Sequence, residues 1–100
     1  MNQAALNFDH DPYPDGFWYW LTKNRHIRDA FDRKALRMAR TGRKHYSARC
    51  IIENIRFETD LADSDTLFKI NNNFVPGLAR LWMEAHGKKY PKFFHLREMP

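Results

Sequence analysis

The chain holds one cysteine, Cys50, four glycines, and no apolar run approaching the ~18 residues a bilayer span requires. A lone thiol forms no internal disulfide and cannot by itself supply a structural zinc site. The glycines, at positions 16, 42, 77 and 87, are too scattered to build a phosphate-cradling loop. His10, His26, His45, His86 and His95 lack both the i, i+4 pair and the Cys and His clustering of a metal site, so neither metal nor cofactor is expected. No charged-then-apolar leader opens the sequence. Together these absences imply a soluble cytoplasmic protein that does not engage a membrane and is held together by packing alone.

Enough oily side chain is present for that packing: 43% of the residues are hydrophobic and 15% aromatic, against 29% charged. A length of 100 residues allows one core. Residues 1–16 read as an N-terminal arm, rich in turn formers from Asp9 to Gly16. Residues 17–100 read as a single compact helical domain.

Helical spacing recurs along that domain. Phe17, Trp20 and Leu21 share a face at i, i+3, i+4, which turns Trp18 and Tyr19 elsewhere. From His26 to Arg40, the residues Ile27, Ala30, Phe31, Ala35 and Met38 form one apolar stripe, and Thr41 and Gly42 supply a stop. Ser47 is suited to cap a helix from Ala48 to about Asp60, with Ala48, Ile51, Ile52 and Ile55 inward. Cys50, between Arg49 and Ile51, reads as a small buried hydrophobe rather than a nucleophile.

Residues 61–66 form an acidic polar turn. Residues 67–70 make a short strand candidate, ended by Asn71, Asn72 and Asn73, with Asn73 as the cap of a further helix. Pro76 then falls in that helix's first turn, where its missing N–H costs little. Val75, Leu78, Ala79, Trp82 and Met83 share its buried face, and Gly87 ends it. A second strand over residues 93–97 would pair with the first. The fold class is therefore mainly α, about four helices with a minor two-stranded β element. Its order is compatible with a helix-turn-helix or winged-helix module, although the connection from Gly42 to Ser47 exceeds the ~3 to 4 residues of the simplest such turn.

Charge is concentrated in one block. Residues 21–49 carry ten Lys and Arg against Asp29 and Asp32, a local +8 in a chain whose total is +5. A polyanion is the natural partner, because each neutralised phosphate releases counterions. The expected contacts are Arg33, Arg37 and Arg40 on one helix face, Arg43 and Lys44 in the following loop, and Tyr46, Ser47 and Arg49 at the start of the next helix. DNA is preferred to RNA because no RNA-module signature is visible. Pairing into a homodimer would multiply the contacts of so small a module.

Other readings compete. Asn side chains at 71–73 could read adenine, helped by Lys69 and Lys88, although capping and turn chemistry already account for them. An acidic protein could be the partner of a small interaction factor or inhibitor, with Trp18 and Tyr19 as anchors. Arg80 to His86, and Arg40 to His45, resemble the loose arginine-then-histidine pattern of one family of helical ribonucleases, which implies metal-independent RNA cleavage. Glu53 and Glu58 lie five apart, off one helix face, and Glu53, Glu58 and Asp60 lack the lysine that a metal-dependent nuclease would add at strand spacing. The sequence reads as that of a non-catalytic protein.

Overall fold

The structure is a computed structural model that describes residues 12–62 and 70–96. Its order is α1 (Phe17–Lys23), α2 (Arg25–Arg40), α3 (Ala48–Ala62), a 3-10 turn (Asn72–Phe74) and α4 (Val75–His86). The mainly α class holds. Successive helices α2, α3 and α4 pack on one another, with α1 laid against α2.

Each boundary has a local cause. Gly16 precedes α1 at φ 84°, a left-handed conformation that other residues adopt only at a cost. Asn24 ends α1 and opens α2, its side-chain amide donating to the Trp20 carbonyl (2.8 Å). Thr41 and Gly42 close α2 as the spacing predicts: the Thr41 hydroxyl donates to the Met38 carbonyl (2.6 Å), and Gly42, at φ 94°, donates its N–H to Ala39 (3.1 Å). Ser47 caps α3, its Oγ accepting from the Cys50 N–H (3.2 Å).

Of the expected stripes, Ile27, Phe31 and Ala35 of α2, Ile51, Ile52 and Ile55 of α3, and Val75, Leu78, Ala79 and Trp82 of α4 are buried; Ala30, Met38, Ala48 and Met83 are half-buried, and Ala39, not foreseen, joins the core. Trp82 lies at the aromatic centre, its ring centroid 5.2 Å from those of both Phe93 and Phe94. Phe17 is fully buried, whereas Trp20 is half-buried against Phe74 (5.4 Å). Tyr13, from the described end of the arm, stacks on Phe17 (5.1 Å) and donates its hydroxyl to Glu84 (2.9 Å).

Four expectations are corrected. The two-stranded element is absent from the described residues, and with it the strand pair of a winged helix. Phe93 donates its N–H to the Tyr90 carbonyl (3.2 Å) and accepts at its own carbonyl from Tyr46 (2.9 Å), so its backbone is spent on a turn and a loop. Lys92, at φ 61°, bends the chain just before it. Residues 67–69 and 97 lie outside the described residues. Leu61 and Ala62 belong to α3 rather than to a turn, of which residues 63–66 also lie outside the description. Asn73 does not cap α4, whose N-cap residue is Phe74 without a side-chain cap bond; Asn71 instead caps the 3-10 turn, its Oδ1 accepting from the Asn73 N–H (2.9 Å). Cys50 is exposed, because a rotation of ~100° per residue turns it away from Ile51 onto the outer face shared with Asn54 and Phe57.

Candidate nucleic-acid interface

On α2, Arg33, Arg37 and Arg40 span about 60° of arc at ~100° per residue, opposite the buried stripe. All three are exposed, as are Arg43 and Lys44 in the 41–47 link and Arg49 in the first turn of α3. None of these six cations makes an ion pair with a carboxylate among the described residues. The described carboxylates are engaged elsewhere or stand alone. Asp32 meets Arg28 (3.4 Å), Glu58 meets Lys34 (2.8 Å) and Glu53 meets Arg56 (3.5 Å). Asp29, one turn before Arg33, forms no ion pair with it.

Beyond the bonds that close α2 at Thr41 and Gly42, the link is held by packing and by a backbone bond to a distant segment. Tyr46 donates its N–H to Phe93, and the Arg43 guanidinium lies over the Tyr46 ring, 5.4 Å from its centroid. Beyond Arg49 the outer face of α3 changes character: Glu53 and Asp60 are exposed, as are the large apolar side chains Phe57 (62%) and Leu61 (72%). Only its first turn therefore offers a duplex a cationic face.

Tyr46, Ser47 and Arg49 also line a groove of about 780 Å³ that sequence reasoning did not foresee. Asn72 and Asn73 lie along it, and Arg80 of α4 and His95 of the last described segment join them. Pro12, Tyr13 and Pro14 form another stretch of its wall. No Asp or Glu lines it. These residues are separated by tens of positions in the chain, and no periodic pattern connects them. The asparagine turn and Arg80 were each visible as candidates, but only the packing of α3 against α4 brings them beside Arg49.

Arg80 and His86 do not converge. Six residues along α4 set them about 120° apart. Arg80 lines the groove, whereas the His86 ring lies on Trp82 (4.6 Å) and faces Asp32. Burial pushes the Asp32 carboxyl above its ordinary value, outweighing the opposing pull of Arg28 and of His86. Arg40 and His45 are both exposed and lie outside the groove lining.

No group of His, Cys, Asp or Glu among the described residues is arranged to hold a metal ion. None of their helices is long and apolar enough to cross a membrane. No family model matches the chain, and no curated protein or solved structure matches it either.

Proposed function

We propose that this chain is a non-catalytic nucleic-acid-binding protein that grips the phosphate backbone through the outer face of α2, the 41–47 link and the first turn of α3. The observation that carries this reading is the exposure of Arg33, Arg37, Arg40, Arg43, Lys44 and Arg49 without a carboxylate partner among the described residues. A cation already neutralised in an ion pair releases no net counterion on binding, whereas an unpaired one does. The contacts position the protein on the polymer without reading sequence, and DNA is the first polymer to try.

The test is fluorescence anisotropy of a labelled DNA duplex against salt concentration. With six phosphate contacts, log K falls with log salt at a slope approaching about −5. The triple variant Arg40→Glu, Arg43→Glu, Lys44→Glu keeps its helical circular dichroism and loses binding. Retained affinity in that variant would remove the proposal.

A protein partner is the second reading, supported by Trp18 (47% exposed) and Tyr19 (71% exposed) on α1. Aromatic side chains of this kind anchor interfaces. An association with an acidic protein that survives nuclease treatment and is lost in Trp18→Ala, Tyr19→Ala would favour it.

A further inference from the structure

Beyond its first turn, the outer face of α3 lies open. Cys50, Asn54, Phe57 and Leu61 follow one another there at intervals of four, three and four residues, all exposed, and at ~100° per residue they fall within about 60° of arc. That is the ~3.5-residue spacing of a seam on which a second helix packs. Phosphate is a poor occupant, because Glu53, Glu58 and Asp60 border the seam.

The order of the side chains distinguishes this stripe from a general apolar patch. The two large ones, Phe57 and Leu61, stand in its C-terminal half, and the two small ones, Cys50 and Asn54, in its N-terminal half. Positions 50 and 61 are equidistant from the point midway between Ile55 and Arg56, and so are positions 54 and 57. A copy of α3 running antiparallel therefore sets Phe57 opposite the second copy's Asn54 and Leu61 opposite its Cys50, large against small in each layer. A parallel copy would crowd Phe57 on Phe57 and leave a gap between the cysteines. Such self-complementarity about one point is what a twofold interface requires, since each contact from i to j is repeated from j to i.

Charge agrees with the same arrangement. The two carboxylates nearest the stripe are compensated within the chain, Glu53 by Arg56 (3.5 Å) and Glu58 by Lys34 (2.8 Å), so two such faces approach without bare like charges at the seam. Asp60 lies about 90° from the stripe's midline, outside it. Because Glu53 precedes Arg56, reversal of that order in an antiparallel copy brings each guanidinium toward the other copy's carboxylate.

We propose that α3 pairs antiparallel with α3 of a second copy of this chain, about a twofold point between residues 55 and 56. Arg49 lies about 110° from the stripe's midline, so pairing leaves it open to phosphate. Pairing of this kind needs no nucleic acid. A contact between two helices only about 22 Å long falls below the ~1,200 Å² of a stable interface, so the association is weak. The dilute chain is a monomer with its Cys50 thiol open.

The full chain, freed of nucleic acid by nuclease and high salt, is brought to sedimentation equilibrium at concentrations from about 10 μM to about 1 mM. Its apparent mass is expected to climb from that of one chain toward that of two. Phe57 and Leu61 are outside the core, so Phe57→Glu with Leu61→Glu keeps its helical circular dichroism, and this double variant is expected to raise the dissociation constant about tenfold or more. Orientation is read by cross-linking with oxidised glutathione, which takes two electrons from a pair of thiols and leaves as two glutathione thiols. In the antiparallel pair the two Cys50 residues stand about 16 Å apart along the axis, beyond the ~4.4 to 6.8 Å that a disulfide spans, so the parent does not cross-link. Leu61→Cys sets a thiol opposite Cys50 and yields a covalent dimer, whereas Cys50→Ala with Leu61→Cys does not. A chain that stays monomeric throughout the concentration range overturns the proposal and leaves the stripe to a different protein. A dimer that persists in the glutamate double variant overturns it by placing the interface elsewhere. Cross-linking of the parent through Cys50, or a Leu61→Cys variant that dimerises without cross-linking, overturns the antiparallel order.

Discussion

The Gly77 backbone of α4 lies directly against the Phe17 ring of α1: a Cβ at Gly77 would sit 2.6 Å from Phe17 Cε1. Phe17 is fully buried and is hemmed in by Tyr13, Trp18, Trp20 and Phe74, so its ring has nowhere to move. Gly77→Ala therefore costs about 1 to 3 kcal/mol through overpacking, despite the better helix propensity of alanine. Urea denaturation read by tryptophan fluorescence measures it. A variant as stable as the parent would mean that α1 is not fixed on α4 at this point.

Ser47 has two separable roles. Its Oγ caps α3 by accepting from Cys50, and its hydroxyl also lines the groove. Ser47→Ala lowers stability by about 1 kcal/mol, whereas Ser47→Asp restores the cap. The aspartate also places a carboxylate between the link cations and Arg49, so Ser47→Asp is expected to match the parent in thermal melting yet bind a DNA duplex more weakly than Ser47→Ala. Equal binding by the two variants would mean that the phosphate backbone does not pass the start of α3.

What was legible in the sequence follows from distance along the chain. Ile27, Phe31 and Ala35 declare their shared helix face because one element sets their spacing, and Ser47 declares its cap because its partner amide is three residues away. Phe93 and Phe94 look like strand because adjacent apolar residues suit a strand buried on both faces. Nothing local shows that the Phe93 carbonyl is taken by Tyr46, which is far away in the chain. Cys50 was misplaced for a subtler reason: its neighbour Ile51 is buried, yet one residue of helical rotation turns the thiol outward. The α2 ridge was readable as an i, i+4, i+7 pattern. The groove was not, because Arg49, Asn72, Arg80 and His95 come together only when α3 docks on α4.

The exposure of Cys50 has a direct chemical check. A thiol on the outer face of α3 reacts with a disulfide reagent in the folded protein without prior unfolding. Titration of the native chain is expected to release one equivalent of chromophore, matching its one cysteine, at the same rate with and without mild denaturant. A rate that climbs steeply with denaturant would return the residue to the core.

Asp32 links acid stability to packing between α2 and α4. Its folded pKa lies above the ordinary 3.8 because burial outweighs the attraction of Arg28 and of His86. The folded state thus binds this proton more tightly than the unfolded chain. The associated stability is present in full below the ordinary value and is lost as pH rises through the raised folded value. Asp32→Asn cannot lose that proton, so the melting temperature of the parent relative to the variant is expected to fall as pH climbs from about 3.8. A difference that rises over that window would show that the Arg28 ion pair, not burial, governs the carboxylate.

The arginine ridge makes the sharpest demand on the nucleic-acid reading, because its members are predicted to matter for binding and not for folding. Arg33, Arg37 and Arg40 are exposed, face away from the buried stripe of α2 and form no ion pair among the described residues. Each single change to alanine is therefore expected to alter stability by less than about 0.5 kcal/mol. If each arginine neutralises one phosphate, each change also reduces the steepness of the salt dependence by about 0.9, and the three changes add. Additivity is the informative part. Arginines dispersed over the ligand without a shared track would give unequal effects, whereas three residues on one helix face along one phosphate backbone contribute alike. A slope left unchanged by all three substitutions would confine the polyanion contact to the link and the first turn of α3.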